Sequence, residues 1–501
     1  MKFVGGKNMK KRSSGILMHI SSLNNNFGIG SFGDEAYEFV DFLVESGQKY
    51  WQILPLGHTS YGDSPYQCFS AFAGNPHFIN FSILKDKRLL KEEDFKDVDF
   101  GSDEEIIDYG KIFENRKPIL YKAYENFKLN KARDYDYFIE KNRFWLKDYA
   151  EYMAIKDNQN LVAWTEWPEM LRLRDEETLN KYREKLKDEI EFYYFIQYEF
   201  FEQWTSLKNY ANSNGIRIIG DLPIYIAGDS ADMWVNPEMF KVNEDMRAKF
   251  VAGCPPDCFA KTGQLWGNPI YDWEKMEKDG FKWWITRIKE SLKLYDVIRL
   301  DHFIGFNSFW QIPAEDETAE NGTWIKGPGL KLFDEIKKEL GEVNIIAEDL
   351  GTVTEEFLKF KEKTGFPGMK IIQFSFGEGD SESLPHNAEK NSVSYVGTHD
   401  NETAKGWYLN NLDTNEGIKA KDYLDIREGD NIGFKFIRGN MSSHSNIAIM
   451  TMQDILNLDN KARMNTPSTL GGNWCWRIKK GALTKELAEK IYHLTKLYGR
   501  V

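Results

Sequence analysis

Short apolar runs bounded by turn residues recur along the chain, and most are separated by stretches with helical spacing. The first run is Gly15–Ile20. Asp34–Ser46 follows, with Phe39, Phe42 and Leu43 at helical spacing, and then comes Tyr50–Leu56. The pattern resumes at Ile216–Pro223. It continues through Val297–Phe303, Val343–Asp349, Met369–Phe374, Val393–Asp400 and Asn446–Met452. Strands that alternate with helices imply parallel pairing, and eight of them predict an α/β fold of the (β/α)8 TIM-barrel type. A doubly wound sheet is the competing arrangement. It requires a glycine-rich phosphate loop directly after the first strand, and Gly28–Gly33 does have the spacing GxGxxG. However, Ser21–Phe27 intervenes, and no acidic ribose partner closes Tyr50–Leu56.

Two departures interrupt the alternation. Residues 57–215 begin with the turn-rich stretch Tyr61–Gln67 and continue as charged, aromatic-spotted helical sequence such as Asn142–Ile155 and Asp188–Ala211. Residues 225–290 are dense in Gly, Pro, Trp and Asn, around Asp232–Pro237, Gly253–Asp257 and Gly263–Pro269. Loops this long and aromatic are usually functional. The expected organisation is therefore one catalytic barrel over residues 1–501. A largely helical insertion (57–215) follows its second strand, and a loop-rich insertion (225–290) follows its third.

Composition narrows the partners. The formal net charge is -13 with no long Lys/Arg run, so nucleic acid is excluded as a natural partner and a neutral or cationic ligand suits better. Aromatic residues make up 15 % of the chain, with 15 Trp. Most must be core, but aromatic faces also stack on sugar rings, which keeps carbohydrate in view. Four cysteines, Cys68, Cys254, Cys258 and Cys475, make no disulfide framework and suggest a reducing compartment. Pro255-Pro256-Asp257 between Cys254 and Cys258 does not form a zinc knuckle, and no second Cys/His pair completes one. The basic segment Met1–Ser14 lacks the apolar core of a signal peptide, and no run of about 18 apolar residues suggests a membrane span. A cytoplasmic protein without a membrane partner is expected.

The chemistry gathers at strand ends. Four of the eight runs end acidic or acid-flanked, at Asp221, at Asp301, at Glu348-Asp349 and at His399-Asp400. In a (β/α)8 barrel these ends converge on the face where active sites lie. Side chains alternate along a strand, so Arg299 and Asp301 share one face, and the cation favours an ionised Asp301, as a nucleophile requires. A purely structural ion pair is the alternative. Several carboxylates without a metal-ligand motif point to glycoside chemistry, in which one acid attacks the anomeric carbon and a second, with raised pKa, moves the proton. None of the eight His offers a ligand pair, and no cofactor or metal is expected.

At these residues the chain resembles the 4-α-glucanotransferases (amylomaltase or disproportionating enzyme), relatives of the α-amylases without their C-terminal β-domain. The resemblance runs from about Gly15 to Tyr498. It rests on Tyr61–Gln67, Gly220–Pro223, Asp229–Trp234, Gly263–Pro269, Arg299–Phe303, Ala347–Gly351, Gly397–Asn401 and Asn465–Pro467, in that order. It implies Asp301 as nucleophile, Glu348 as general acid/base and Asp400 as the third carboxylate, holding sugar hydroxyls. It further implies substrate or supporting contacts from Arg299, His399, Asp221, Tyr61, Asp63, Ser64, Trp266 and Asn465. The implied partners are maltooligosaccharides, amylose or glycogen-derived α-1,4-glucans, with glucose as an acceptor. An α-glucan hydrolase is the runner-up, and a non-catalytic carbohydrate-binding barrel a third reading. The chain departs from the family pattern at Ile304, where an Arg is usual, and at Cys68, Cys254 and Cys258.

Overall fold

Among the described residues, twelve strands form two sheets. They are β1 (Ser13–Leu17), β2 (Tyr50–Gln52), β3 (Arg217–Pro223), β4 (Phe250–Cys254), β5 (Gln264–Pro269), β6 (Val297–Asp301), β7 (Ser308–Pro313), β8 (Thr323–Lys326), β9 (Ile345–Ala347), β10 (Gly368–Ile371), β11 (Ser392–Tyr395) and β12 (Ile447–Thr451). The structure is a computed structural model that describes Met9 and residues 11–256, 261–351, 353–379 and 381–501.

Eight of these strands are all parallel and run in the order β10-β11-β12-β1-β2-β3-β6-β9. The two end strands, β9 and β10, also meet. The Ala347 N–H donates to the Pro367 carbonyl at 2.9 Å, and the Met369 N–H donates to Asp349 Oδ1 at 2.7 Å. The result is the nearly closed barrel that the eight apolar runs predict. Each run contributes one strand, shorter than the run itself because the chain leaves the ladder as it reaches the barrel mouth.

Alternation sorts each strand into two faces. Leu17, Tyr50, Ile219, Val297, Ile346, Val393 and Ile447 pack together inside the barrel. Their neighbours Ile16, Trp51, Ile218, Ile298 and Ile345 belong to the larger core beneath the surrounding helices. Strands buried on both faces have no polar side, which is why the runs are continuously apolar. The same parity sends Asp221, Arg299 and Asp301 inward, two and four residues beyond interior Ile219 and Val297.

Between β2 and β3 lie three long helices, Tyr109–Leu129, Tyr135–Asn158 and Lys187–Ser213. Between β3 and β6 the stretch that reads as loop-rich also holds β4, β5 and the helices Ala231–Val235, Trp273–Lys278 and Lys282–Leu294. β4 and β5 join β7 and β8 in an antiparallel sheet of order β5-β4-β7-β8. Sequence pattern misses this sheet because its outer strands, QLWGNP and TWIK, are short and only partly buried and carry little apolar signal. Cys254 ends β4, whereas Cys258 lies outside the described residues. Ile304 is buried in the turn Phe303–Phe306 that follows β6. No helix among the described residues is long and apolar enough to cross a membrane.

Candidate active site

The centre of the site is a guanidinium shared by two carboxylates. Asp221 on β3 and Arg299 on β6 are partners across the ladder. Arg299 Nη1 donates to Asp221 Oδ2, and its Nη2 donates to Asp301 Oδ1 at 3.1 Å. Tyr66 Oη adds a second donor to Asp221 Oδ2 at 2.7 Å. Asp221 and Arg299 are buried, whereas the Asp301 side chain stays 27 % exposed toward the mouth. Arg299 is thereby fixed by one acid and presented to the other. Burial raises the Asp301 carboxyl above its ordinary range, and Arg299 pulls it back down.

Glu348 follows β9 and is held differently. Its carboxylate accepts backbone N–H groups from His302 at 2.7 Å and from Leu350 at 3.1 Å, with no cation bonded to it among the described residues. Burial raises its pKa first, and the charge of Asp301 raises it further. Of the two acids, Glu348 is the one that retains a proton, because Asp301 has the guanidinium and Glu348 does not. His302 adopts a left-handed backbone (φ 51°, ψ 50°), unusual for a non-glycine residue. That turn directs its N–H to Glu348. Its ring meets the Trp266 ring edge-on at 4.8 Å, and burial lowers its pKa to about 4, so the imidazole is neutral.

Asp400 stands at the opening with its side chain 43 % exposed. Asn465 Nδ2 donates to its Oδ1 at 2.6 Å, and His399 Nε2 lies 3.3 Å from its Oδ2. Partial burial pushes this carboxyl up, but His399 and Asn465 outweigh it and hold it well below the usual range. The loop that brings Asn465 is anchored by Arg463, whose Nη2 donates to the Asp400 carbonyl at 2.6 Å and whose Nε donates to the Asn465 carbonyl at 2.8 Å. The His399 ring is buried and stacks on Tyr66 (5.1 Å, 18°), and Trp474 lies 5.9 Å from both rings.

The structure brings together Asp221, Arg299 and Asp301 in one bonded group and His399, Asp400 and Asn465 in another, with Tyr66 bridging the two through Asp221 and His399, and Glu348 joins them through the His302 turn that follows Asp301. The turn Tyr61–Gln67 contributes mainly Tyr66. Ser64 shapes it, its Oγ accepting the Tyr66 N–H at 3.3 Å and its carbonyl accepting the Gln67 N–H at 3.0 Å. Tyr61 is fully exposed at the tip, outside the bonded cluster. Asp63, also left-handed (φ 60°), lines a small cavity with Tyr109 and Trp474, and burial raises its pKa to about 6. Gln67 Nε2 donates to Asn268 Oδ1 at 3.1 Å, clamping this turn to strand β5, which carries Trp266. Sequence reasoning missed Tyr66, His302, Arg463 and Trp474 as site residues. Tyr66 and His302 sit inside the motifs Tyr61–Gln67 and Arg299–Phe303, but only the fold shows what they touch, whereas Arg463 and Trp474 lie in a late loop with no strand-end signal.

The 4-alpha-glucanotransferase family model matches residues 18–484. A 4-alpha-glucanotransferase of Clostridium butyricum is 54 % identical over 486 residues, covering 96 % of this chain and 100 % of that protein. One from Streptococcus pneumoniae serotype 4 is 55 % identical over 496 residues, covering 98 % of each. Among solved structures, amylomaltase from Streptococcus agalactiae in complex with acarbose superposes with a TM-score of 0.96 at 45 % identity, covering 98 % of this chain and 100 % of that one.

Proposed function

The chain belongs to the 4-alpha-glucanotransferase family, and from that premise we propose how its own side chains carry out transfer between α-1,4-glucans. Asp301 attacks the anomeric carbon of a donor glucan and forms a β-glucosyl ester. Glu348 gives its proton to the departing 4-oxygen, so the donor's reducing-end fragment leaves as a neutral alcohol. In the second half, the Glu348 carboxylate takes the proton of an acceptor 4-hydroxyl, whose oxygen attacks the same carbon and expels Asp301. Two inversions restore the α configuration.

The observation that carries this reading is the unequal treatment of two neighbouring acids. Asp301 is paired with Arg299, whereas Glu348 is buried on backbone N–H groups beside a negative charge. The first arrangement favours a nucleophile and the second an acid, which is the division of labour a double displacement needs. Asp400, held by His399 and Asn465, is ionised and positioned to grip hydroxyls of the sugar ring as it flattens in the transition state. Trp266 stands beside these groups, its ring edge-on to His302. Maltooligosaccharides, amylose and glycogen-derived glucans are the donors in this reading, and glucose is an acceptor. The cytoplasm is its place of action, in keeping with a sequence of 501 residues whose four cysteines are too few for a disulfide framework.

Incubation with maltotriose tests the reading. Glucose and longer maltooligosaccharides accumulate while total reducing ends stay nearly constant, and Asp301→Asn binds substrate but loses at least about 10³-fold in turnover. Steadily rising reducing ends, or an Asp301→Asn protein within tenfold of wild type, would sink it.

A further inference from the structure

Outside the barrel mouth, the helices Tyr135–Asn158 and Lys282–Leu294 border an open cleft of ≈ 460 Å³. Its walls are aromatic. Phe144, 49 % exposed, lies on one side and half-buried Trp283 on the other. Phe72 stands between them, its ring 5.6 Å from Phe144 and 6.2 Å from Trp283, nearly perpendicular to both. Asp232 lies at the floor, 7 % exposed and fixed by the Ala71 N–H at 2.7 Å. The rim carries charges of both signs, Asp148 and Asp279 against Lys275 and Lys282.

The cleft does not stop there. A second cleft of ≈ 290 Å³ adjoins it across Phe72 and Trp145 and contains Tyr137, 68 % exposed, with Lys141 and Glu202. Tyr137 and Phe144 are seven residues apart on one helix face, a separation of about 10 Å, longer than one sugar ring. Asp301, Glu348 and Asp400 line neither cleft, so this surface is distinct from the catalytic mouth.

Exposed ring faces with carboxylates and ammonium groups interleaved suit a flat, neutral polyhydroxyl ligand. Ring C–H faces pack on the aromatics, and hydroxyls bridge acceptors and donors at the rim. A single-signed field for a polyanion is missing, and the extended double cleft fits a chain better than a compact solute. We propose that this double cleft is a second α-1,4-glucan-binding site, which holds polymeric donors against the outside of the barrel. The inference rests on the glucan-transfer reading above and adds a place where long chains are retained.

The test is electrophoresis of the full chain in native gels containing glycogen, with excess maltotriose present to occupy the catalytic mouth. Wild type is retarded. Phe144→Ala/Trp283→Ala loses apparent glycogen affinity by about fivefold or more, and Phe144→Ala alone by about twofold, while maltotriose turnover stays within about twofold. Wild-type retardation of both variants overturns the proposal. So does a double variant that loses retardation and turnover together while Phe144→Ala behaves as wild type, because that pattern marks a packing defect at Trp283. A wild type that is retarded by glycogen but leaves maltotriose unchanged supports the cleft and overturns the transfer reading instead.

Discussion

At the scale of single residues, the site depends on which acid holds the proton. Asp301 must be ionised to attack, so activity falls as pH drops through its burial-raised pKa. Glu348 must be protonated to release the leaving group, so activity also falls as pH rises through its own, higher pKa. A bell-shaped profile of kcat/KM is therefore expected, with both limbs above the ordinary carboxylate range. Glu348→Gln erases the alkaline limb and costs about 10²–10⁴-fold with maltotriose. An alkaline limb that survives in Glu348→Gln would move the acid role elsewhere. Asp301, Glu348 and Asp400 were legible in the sequence because each ends or follows an apolar run. Tyr66 was not, since its bond to Asp221 and its stack on His399 join segments 155 and 333 positions away, which no local pattern announces.

At the scale of elements, β3 and β6 position the charge cluster, and their fit depends on a close approach. Gly220 on β3 faces the ring of Tyr295, and a Cβ at this position would overlap that ring. Tyr295 cannot retreat freely, because it is buried and its hydroxyl accepts the Leu56 N–H at 3.3 Å. Gly220→Ala is expected to destabilise by about 1–3 kcal/mol, read as a lowered melting temperature, and to reduce turnover by displacing Asp221. An unchanged melting temperature would show that the ring yields. The eight barrel strands were readable because burial on both faces leaves continuous apolar runs. The β5-β4-β7-β8 sheet was not, because its outer strands are short and partly exposed, and QLWGNP, with Gly and Pro among polar residues, looks like loop.

At the scale of the whole molecule, the groups that serve chemistry work against stability. A carboxyl whose pKa is raised by folding contributes stability that is full below its unfolded pKa and is lost as pH rises through the folded value. Glu348 is such a group, and burial similarly raises Asp232 and Asp454 to about 6. Melting temperature is expected to decline from mildly acidic to alkaline pH. Glu348→Gln, which cannot ionise, flattens part of that decline and melts higher than wild type at alkaline pH. Calorimetry across that range checks this, and a steeper decline in the variant would refute it. The division into a barrel and long insertions was visible in the sequence as an interrupted alternation. The way the insertions fold back over the strand ends was not, because it rests on long-range pairs such as Gln67 with Asn268.

Glu348 has an acidic neighbour with a separate task. Asp349 accepts the Met369 N–H at 2.7 Å through one oxygen and Lys361 Nζ at 2.6 Å through the other, where a full ladder between β9 and β10 would otherwise run. A seam held by this one side chain and the Ala347–Pro367 backbone bond lacks the redundancy of a ladder, so the cylinder has a zipper with few teeth, and it lies next to the proton-carrying acid. Amide hydrogen exchange should find its fastest-opening strand backbone at Gly368–Ile371, and Asp349→Asn should accelerate exchange there before any other strand responds. Heat inactivation would then begin with this hoop springing open at Glu348, with loss of transfer preceding loss of the fold.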